Sequence, residues 1–260
     1  MPLTFAHPAA VLPLRRLRAL DALPLIVGSV TPDISYYLPH QIRLYLPDAH
    51  SFVGSLVFCL PVALGLLAML VALQIPMLEP LPTGHRQFVA SVIERFQSRK
   101  SYLVAAVPSI LIGVWSHIIW DSFTHRNRWA VRHLALLGET LELPLIGSLE
   151  VFRALQYISS LIGLVVVISC YVSAERRFVL ANRPEDVGDK RTVLLGSLLA
   201  ISGVVVAYKV MYLRRFSFYR LGMTGFTSGV AVFCVLWFVS GLVLVMLRAY
   251  QTVQSDRSAT

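Results

Sequence analysis

Five apolar stretches dominate this sequence, each close to the ~20 residues needed to cross a bilayer as a helix. They run from Ser51 to Ile75, Tyr102 to about Trp120, Leu155 to Val172, Thr192 to Leu213 and Thr224 to Leu247. Hydrocarbon offers no partners to backbone N–H and C=O groups, so such stretches must close their hydrogen bonds internally. The fold expected is therefore all-α: a polytopic membrane protein of about five transmembrane helices. The fourth stretch is the weakest, because Lys209 lies near its end, where a lysine can snorkel to the interface.

Composition agrees. Only 14% of the 260 residues are charged, against roughly 25% in soluble domains. One membrane domain is expected over residues 1–250, with 251–260 as a polar, disordered tail. The formal net charge is +9, and most of it is arginine in short loops between apolar runs. That placement suits anionic lipid headgroups. It lacks the aromatic-interleaved basic stripe that single-stranded nucleic acid needs, so the expected partners are membrane lipids and not nucleic acid. Basic residues divide almost evenly between the two sets of loops, so they assign no orientation. Cys59, Cys170 and Cys234 each lie inside an apolar run and form no metal or disulfide pattern. The N-terminus lacks the basic and apolar regions of a cleaved signal, so this end is expected to be retained.

Ahead of the first span, residues 22–30 are apolar but too short to cross. They read as an interfacial or re-entrant helix. Pro32 disfavours helical geometry at Thr31 and removes a helix donor, which places Asp33 on a turn just past that helix. Between the first two spans, Phe88, Val89, Val92, Ile93 and Phe96 mark an amphipathic surface helix. Residues 183–191 and 214–223 read as loops.

The metal-capable residues fall in two groups. His7, Asp33 and His50 precede the first span; His117, Asp121 and His125 end the second and open the next loop. Two spans apart, both groups lie at the same membrane face. His117 and Asp121 are one helical turn apart, about 6 Å along and about 40° round, so they project from one face and can chelate one divalent ion. Ionisable groups at membrane depth are costly and usually functional. A histidine or aspartate at a helix end can also simply cap it or bond a neighbouring helix; the clustering argues against that here. His125 lies too far round a continuing helix to share an ion with His117. It is a candidate for a second ion or for a substrate phosphate; Arg126 and Arg128 are candidates to clamp the phosphate and equally suit headgroup contact.

Several motifs occur together: Phe5-x-His7-Pro8-Ala9, Gly28-Ser29-x-x-Pro32-Asp33, His50-Ser51, Ser116-His117-x-x-Trp120-Asp121-Ser122-Phe123-Thr124-His125 and Leu155-Gln156-Tyr157-x-Ser159-Ser160. In combination they resemble an uncharacterised family of bacterial multi-pass membrane proteins, a domain of unknown function. More distantly, they are similar to membrane-bound metal-dependent hydrolases of the YdjM type. Zinc phospholipases C and zinc nucleases are the wider relatives implied. The resemblance implies a plasma-membrane hydrolase acting on a phosphoester, such as a lipid headgroup. His7, Asp33, His50, His117 and Asp121 would hold one or two divalent ions, with zinc expected and manganese or iron as alternatives. Two other classes use the same residues: a transporter with a His117–Asp121 proton relay, and a non-enzymatic lipid-binding protein with a structural metal.

Overall fold

The computed structural model describes residues 3–17, 19–38, 40–98, 100, 102–143, 147–182, 191–211 and 218–259, and of 40, 143, 209–210, 218–228 and 255–259 the backbone alone. The fold is all-α and polytopic. Five helices are long and apolar enough to cross a membrane: Phe52–Ala72, Tyr102–His133, Val151–Asn182, Arg191–Tyr208 and Gly229–Gln254. The chain divides into two compact units, Met1–Met69 with Ile93–Arg176, and Leu70–Val92 with Arg177–Thr260.

The first unit is organised by two crossing helices, α2 (Ala22–Ile34) and α5 (Tyr102–Thr124), with the short α1 (Pro8–Val11) ahead of them. Gly28 and Gly113 set the crossing. A Cβ at Gly28 would lie 2.3 Å from the Ile110 carbonyl oxygen, and one at Gly113 would lie 2.4 Å from that of Leu25. Removing two side chains lets the backbones touch, the usual device where lipid supplies no hydrophobic drive between helices. Leu25, Ile110 and Val114 are completely or almost completely buried around the crossing.

The helix α2 does not stop before Asp33. It continues through Pro32 to Ile34, so Asp33 sits in its last turn and not on a turn beyond it. Two hydroxyls bond back onto carbonyls of the same helix. Thr31 Oγ1 donates to the Val27 carbonyl at 2.6 Å and Ser35 Oγ to that of Pro32 at 3.0 Å. Tertiary packing on α5 overrides the proline signal. Pro24, Leu25, Gly28, Ser29, Thr31, Pro32 and Asp33 of this helix are buried.

The first span, α3 (Phe52–Ala72), starts with Ser51 as its cap, Oγ accepting from Gly54 N–H at 2.9 Å. A π-turn follows at Ser55–Cys59. The amphipathic α4 (Thr83–Gln97) buries Ile93 and Phe96, as its stripe predicts. Beyond α5, a short α6 (Trp129–His133) leads into an antiparallel pair, β1 (Thr140–Leu143) and β2 (Gly147–Glu150), which the sequence reading lacked. Ala130, Leu137 and Phe152 form a buried apolar cluster with Phe123, Val131, Val151 and Leu155 packed against it.

The long α7 (Val151–Asn182) turns Phe152, Gln156, Ser160 and Gly163 inward at helical spacing. Tyr157, Ile158, Leu161, Ile162 and Val165 are exposed. Small and polar residues inside with large apolar ones outside is the pattern of a lipid-facing helix. The N-terminal segment lies along it: Leu3 N–H donates to Ser160 Oγ at 3.3 Å, and a Cβ on Gly163 would meet the Ala6 carbonyl at 2.8 Å.

In the second unit, α8 (Arg191–Met211) packs on α9 (Phe218–Ala259). Gly241 abuts the Pro76 carbonyl, and Trp237 Nε1–H donates to the Met77 carbonyl at 2.8 Å. Glu79 is buried and accepts from Arg86, Arg191 and Arg248. The expected disordered tail is instead helical to Ala259, since α9 continues through it. Residues 183–190 and 214–217 of the expected loops, residues 212–213 of the expected fourth span and the side chain of Lys209 lie outside the described residues; Phe218–Met223 is helical.

Candidate metal centre

Five side chains from four separate segments converge inside the first unit. His7 comes from the residue before α1, Asp33 from the last turn of α2, His50 from the residue ahead of the Ser51 cap, and His117 and Asp121 from consecutive turns of α5. All five are buried, and His117 has no exposed surface.

The contacts form one knot. Asp33 Oδ1 lies 3.5 Å from His117 Nε2 and 3.6 Å from His50 Nε2. Asp121 Oδ2 lies 3.5 Å from His117 Nε2 and 3.3 Å from His50 Nε2. Its other oxygen, Oδ1, is 3.6 Å from His7 Nε2. The His7 ring stacks on that of His117 with centroids 3.7 Å apart. One ligand atom from each of Asp33, His50, His117 and Asp121 falls within 4.8 Å of all the others, so this buried group can hold a metal ion.

These spacings are too long for good hydrogen bonds and suit a shared cation. Bonds of about 2.0–2.2 Å to a tetrahedral zinc put neighbouring ligand atoms about 3.3–3.6 Å apart. The orphaned atoms agree. His7 Nε2, His50 Nε2, His117 Nε2 and Asp121 Oδ1 are buried with no hydrogen-bond partner among the described residues. Leaving one such group unsatisfied costs about 1–3 kcal/mol, and four of them face each other here.

An outer layer fixes the ring orientations. His117 Nδ1–H donates to the Ser29 carbonyl at 2.7 Å, which leaves Nε2 as the lone-pair nitrogen. His50 Nδ1 lies 3.8 Å from Asp48 Oδ1, and Asp48 Oδ2 accepts from Arg128 Nη1 at 2.9 Å. Thr4 Oγ1 donates to Asp33 Oδ2 at 2.7 Å, leaving Oδ1 for the cluster. The second oxygen of one carboxylate and the second nitrogen of two imidazoles are thus all turned outward.

Electrostatics follow the same geometry. Burial, with His117 alongside, lowers the His7 pKa to about 4, so this imidazole is neutral at pH 7. Burial alone would raise Asp33, but His117, His50 and the Thr4 hydroxyl overcome it and hold the carboxyl well below its usual range. Burial would lower His50, but Asp121 and Asp33 outweigh it and raise its pKa. In the metal-free protein a proton at His50 therefore competes with any cation.

The remaining candidates lie around this knot. The helix α5 ends at Thr124, so His125 is not carried further round it; its Nδ1 is 3.5 Å from Asp121 Oδ2 and it is partly exposed. Gln156 Nε2 is 3.4 Å from its Nε2. Arg126 is exposed and paired with Glu150, while Arg128 is engaged by Asp48. Thr4, the Ser29 carbonyl, Asp48 and Gln156 are the participants that reading the sequence missed. Asp48 had a signal in its Asp-x-His spacing to His50; the Ser29 carbonyl had none, because backbone carbonyls leave no mark on a sequence.

A family model described as a domain of unknown function (DUF4184) matches residues 1–248 of the chain. No curated protein and no solved structure matches it.

Proposed function

We propose that this chain, which belongs to the family of the domain of unknown function DUF4184, is a metal-dependent hydrolase of phosphoesters set at the surface of a bacterial plasma membrane. The observation that carries the reading is the buried group of Asp33, His50, His117 and Asp121, with unpartnered imidazole nitrogens turned inward. Two carboxylates balance the charge of a divalent ion, which matters where uncompensated charge is costly. Nitrogen and oxygen donors without sulfur suit zinc, with manganese and iron as alternatives.

When bound, such an ion supplies a water of lowered pKa and polarises a phosphoryl oxygen. The protein's part is to hold the rings still through Ser29 and Asp48, to keep Asp33 ionised, and to exclude bulk water. In this reading His125, at the partly open edge and in reach of Asp121, contacts a phosphoryl oxygen of the substrate.

The test is hydrolysis of the water-soluble diester bis(p-nitrophenyl) phosphate by the purified protein in lipid nanodiscs. Activity is expected to vanish with chelator, return with zinc or manganese, and be absent in His117→Ala. No hydrolysis by metal-loaded wild type, or equal hydrolysis by His117→Ala, overturns the proposal.

A further inference from the structure

A groove of about 410 Å³ runs beside the metal centre, well within the size of small-molecule sites. Small residues make its floor: Ala6, Ala9 and Ala10 from the N-terminal segment and Gly163 from α7. Its walls are Trp120 of α5 and Leu155, Ile158, Ile162 and Val166 of α7. The wall hydroxyls are spoken for. Ser159 accepts from Trp120 Nε1–H at 3.3 Å and Ser160 from Leu3 N–H at 3.3 Å. What the groove offers an occupant is an apolar channel with one polar end, His7.

That end is the metal centre. His7 lines the groove and also points Nε2 at Asp121 Oδ1, 3.6 Å away. The other end is Val166, about 16 Å along α7 from Leu155. Because α7 crosses the membrane from Val151, this direction leads from headgroup level into hydrocarbon. Ile158 and Ile162 on its flank are more than half exposed, as lipid-facing residues are. Polar chemistry at the top and an apolar channel descending from it is the polarity of a phospholipid.

We propose that this groove holds an acyl chain, and that the substrate of the metal centre is a membrane phospholipid whose phosphoester is presented at His7 while its chain lies between α1 and α7. The proposal rests on the hydrolase reading for the word substrate, and on the groove alone for the chain. The concave floor and the ligand residue at its end argue for a lipid over the helix of a second copy, which would need a flat stripe and would gain nothing from His7.

The experiment uses the full chain in phosphatidylcholine nanodiscs doped with a phosphatidylglycerol carrying a diazirine in its acyl chain. After illumination, labelled residues are mapped by mass spectrometry. Labelling is expected to concentrate on Ala10, Ile158 and Val166, in excess over Val235 and Val239, which are exposed on α9. Val166→Trp and, independently, Ile162→Trp fill the groove. In both, labelling of Ile158 is expected to fall to the level of Val235, with metal content unchanged. Groove labelling no higher than at Val235, or labelling indifferent to both tryptophans, overturns the proposal; so does an Ile162→Cys variant that forms disulfide dimers in place of lipid adducts. The two readings separate in His117→Ala: groove labelling that persists there, beside a wild type with no hydrolysis, removes the hydrolase reading and keeps the chain site. Hydrolysis of the soluble diester with no excess labelling does the reverse.

Discussion

The Nδ1 of His117 lies 2.7 Å from the backbone carbonyl oxygen of Ser29, so the crossing of α2 on α5 also sets the tautomer of the most buried imidazole in the cluster. The same crossing brings Asp33, one turn on from Ser29, to 3.5 Å from Nε2 of that ring. Helix packing and ligand geometry are therefore one constraint here, and the consequences can be measured.

Gly28→Ala tests it through packing. The added Cβ would lie 2.3 Å from a backbone oxygen of α5, which cannot give as a side-chain tip can. The expected loss is about 1–3 kcal/mol or more, read as a lower Tm in detergent, together with reduced metal content, although Gly28 is no ligand. Gly65→Ala has nothing within 4 Å of the new Cβ and is expected to be neutral or slightly stabilising, since alanine favours helix over glycine. Equal effects at both positions would contradict the packing argument.

Asp48→Asn tests the outer layer. It removes the anion behind His50 and the partner of Arg128, while all the cluster's own donors remain. Metal affinity is expected to fall about 10–100-fold, the usual cost of losing an outer partner. His133→Ala, exposed beside Trp129, is expected to leave affinity unchanged. Isothermal titration with zinc on chelator-treated protein reads both.

Much of this was legible in the sequence. Hydrocarbon forces helices of near-fixed length, so the five spans follow from apolar length alone. That His7, Asp33, His50, His117 and Asp121 come together was expected from counting the spans between them. What was not legible depends on tertiary partners. Pro32 signals a helix end, yet packing on α5 accompanies α2 past it. The Gln251–Ala259 stretch is polar enough to read as disordered, but it continues a helix already nucleated by an apolar span, and extension is far easier than nucleation. The β1–β2 pair is too short to show a period. The bond to the Ser29 carbonyl could not be read, because any residue there offers one.

Topology has its own test. Tyr45 lies between Asp33 and His50 and is 90% exposed, and Leu136 follows α6 and is 65% exposed. In a background with Cys59, Cys170 and Cys234 replaced by alanine, Tyr45→Cys and Leu136→Cys are expected to react with a membrane-impermeant maleimide from the same side of sealed vesicles. Labelling from opposite sides would separate the two halves of the cluster by a bilayer and contradict the site.

The pH dependence of the chelator-treated protein follows from His7. Its folded pKa, about 4, is below the value of 6.5 for the free side chain. Between these values the unfolded chain binds a proton that the folded protein does not, so stability falls as pH falls from 6.5 to 4. At about 1.4 kcal/mol per unit, the loss is of order 3 kcal/mol. The raised pKa of His50 acts the other way: its contribution is full below 6.5 and is lost as pH rises through the folded value. His7→Gln is expected to flatten the acid limb of a Tm–pH curve between 6.5 and 4 and to leave the alkaline limb in place. An unchanged acid limb would mean that His7 is not buried neutral.

The most direct test is the metal content of the purified protein by elemental mass spectrometry. Wild type is expected to carry at least one divalent ion per chain, and Asp33→Ala to lose it. Asp33 is far in sequence from His117, so that loss would show the N-terminal segment folded back onto the second span with both residues on one ion. A metal that binds only the folded state adds about 2.7 kcal/mol at a hundredfold excess over Kd, so added zinc is also expected to raise the Tm of wild type and not of the variant. Wild type without stoichiometric metal, and with a Tm indifferent to zinc and manganese, would contradict the metal centre and leave a proton relay through the same His117 and Asp121 as the better reading.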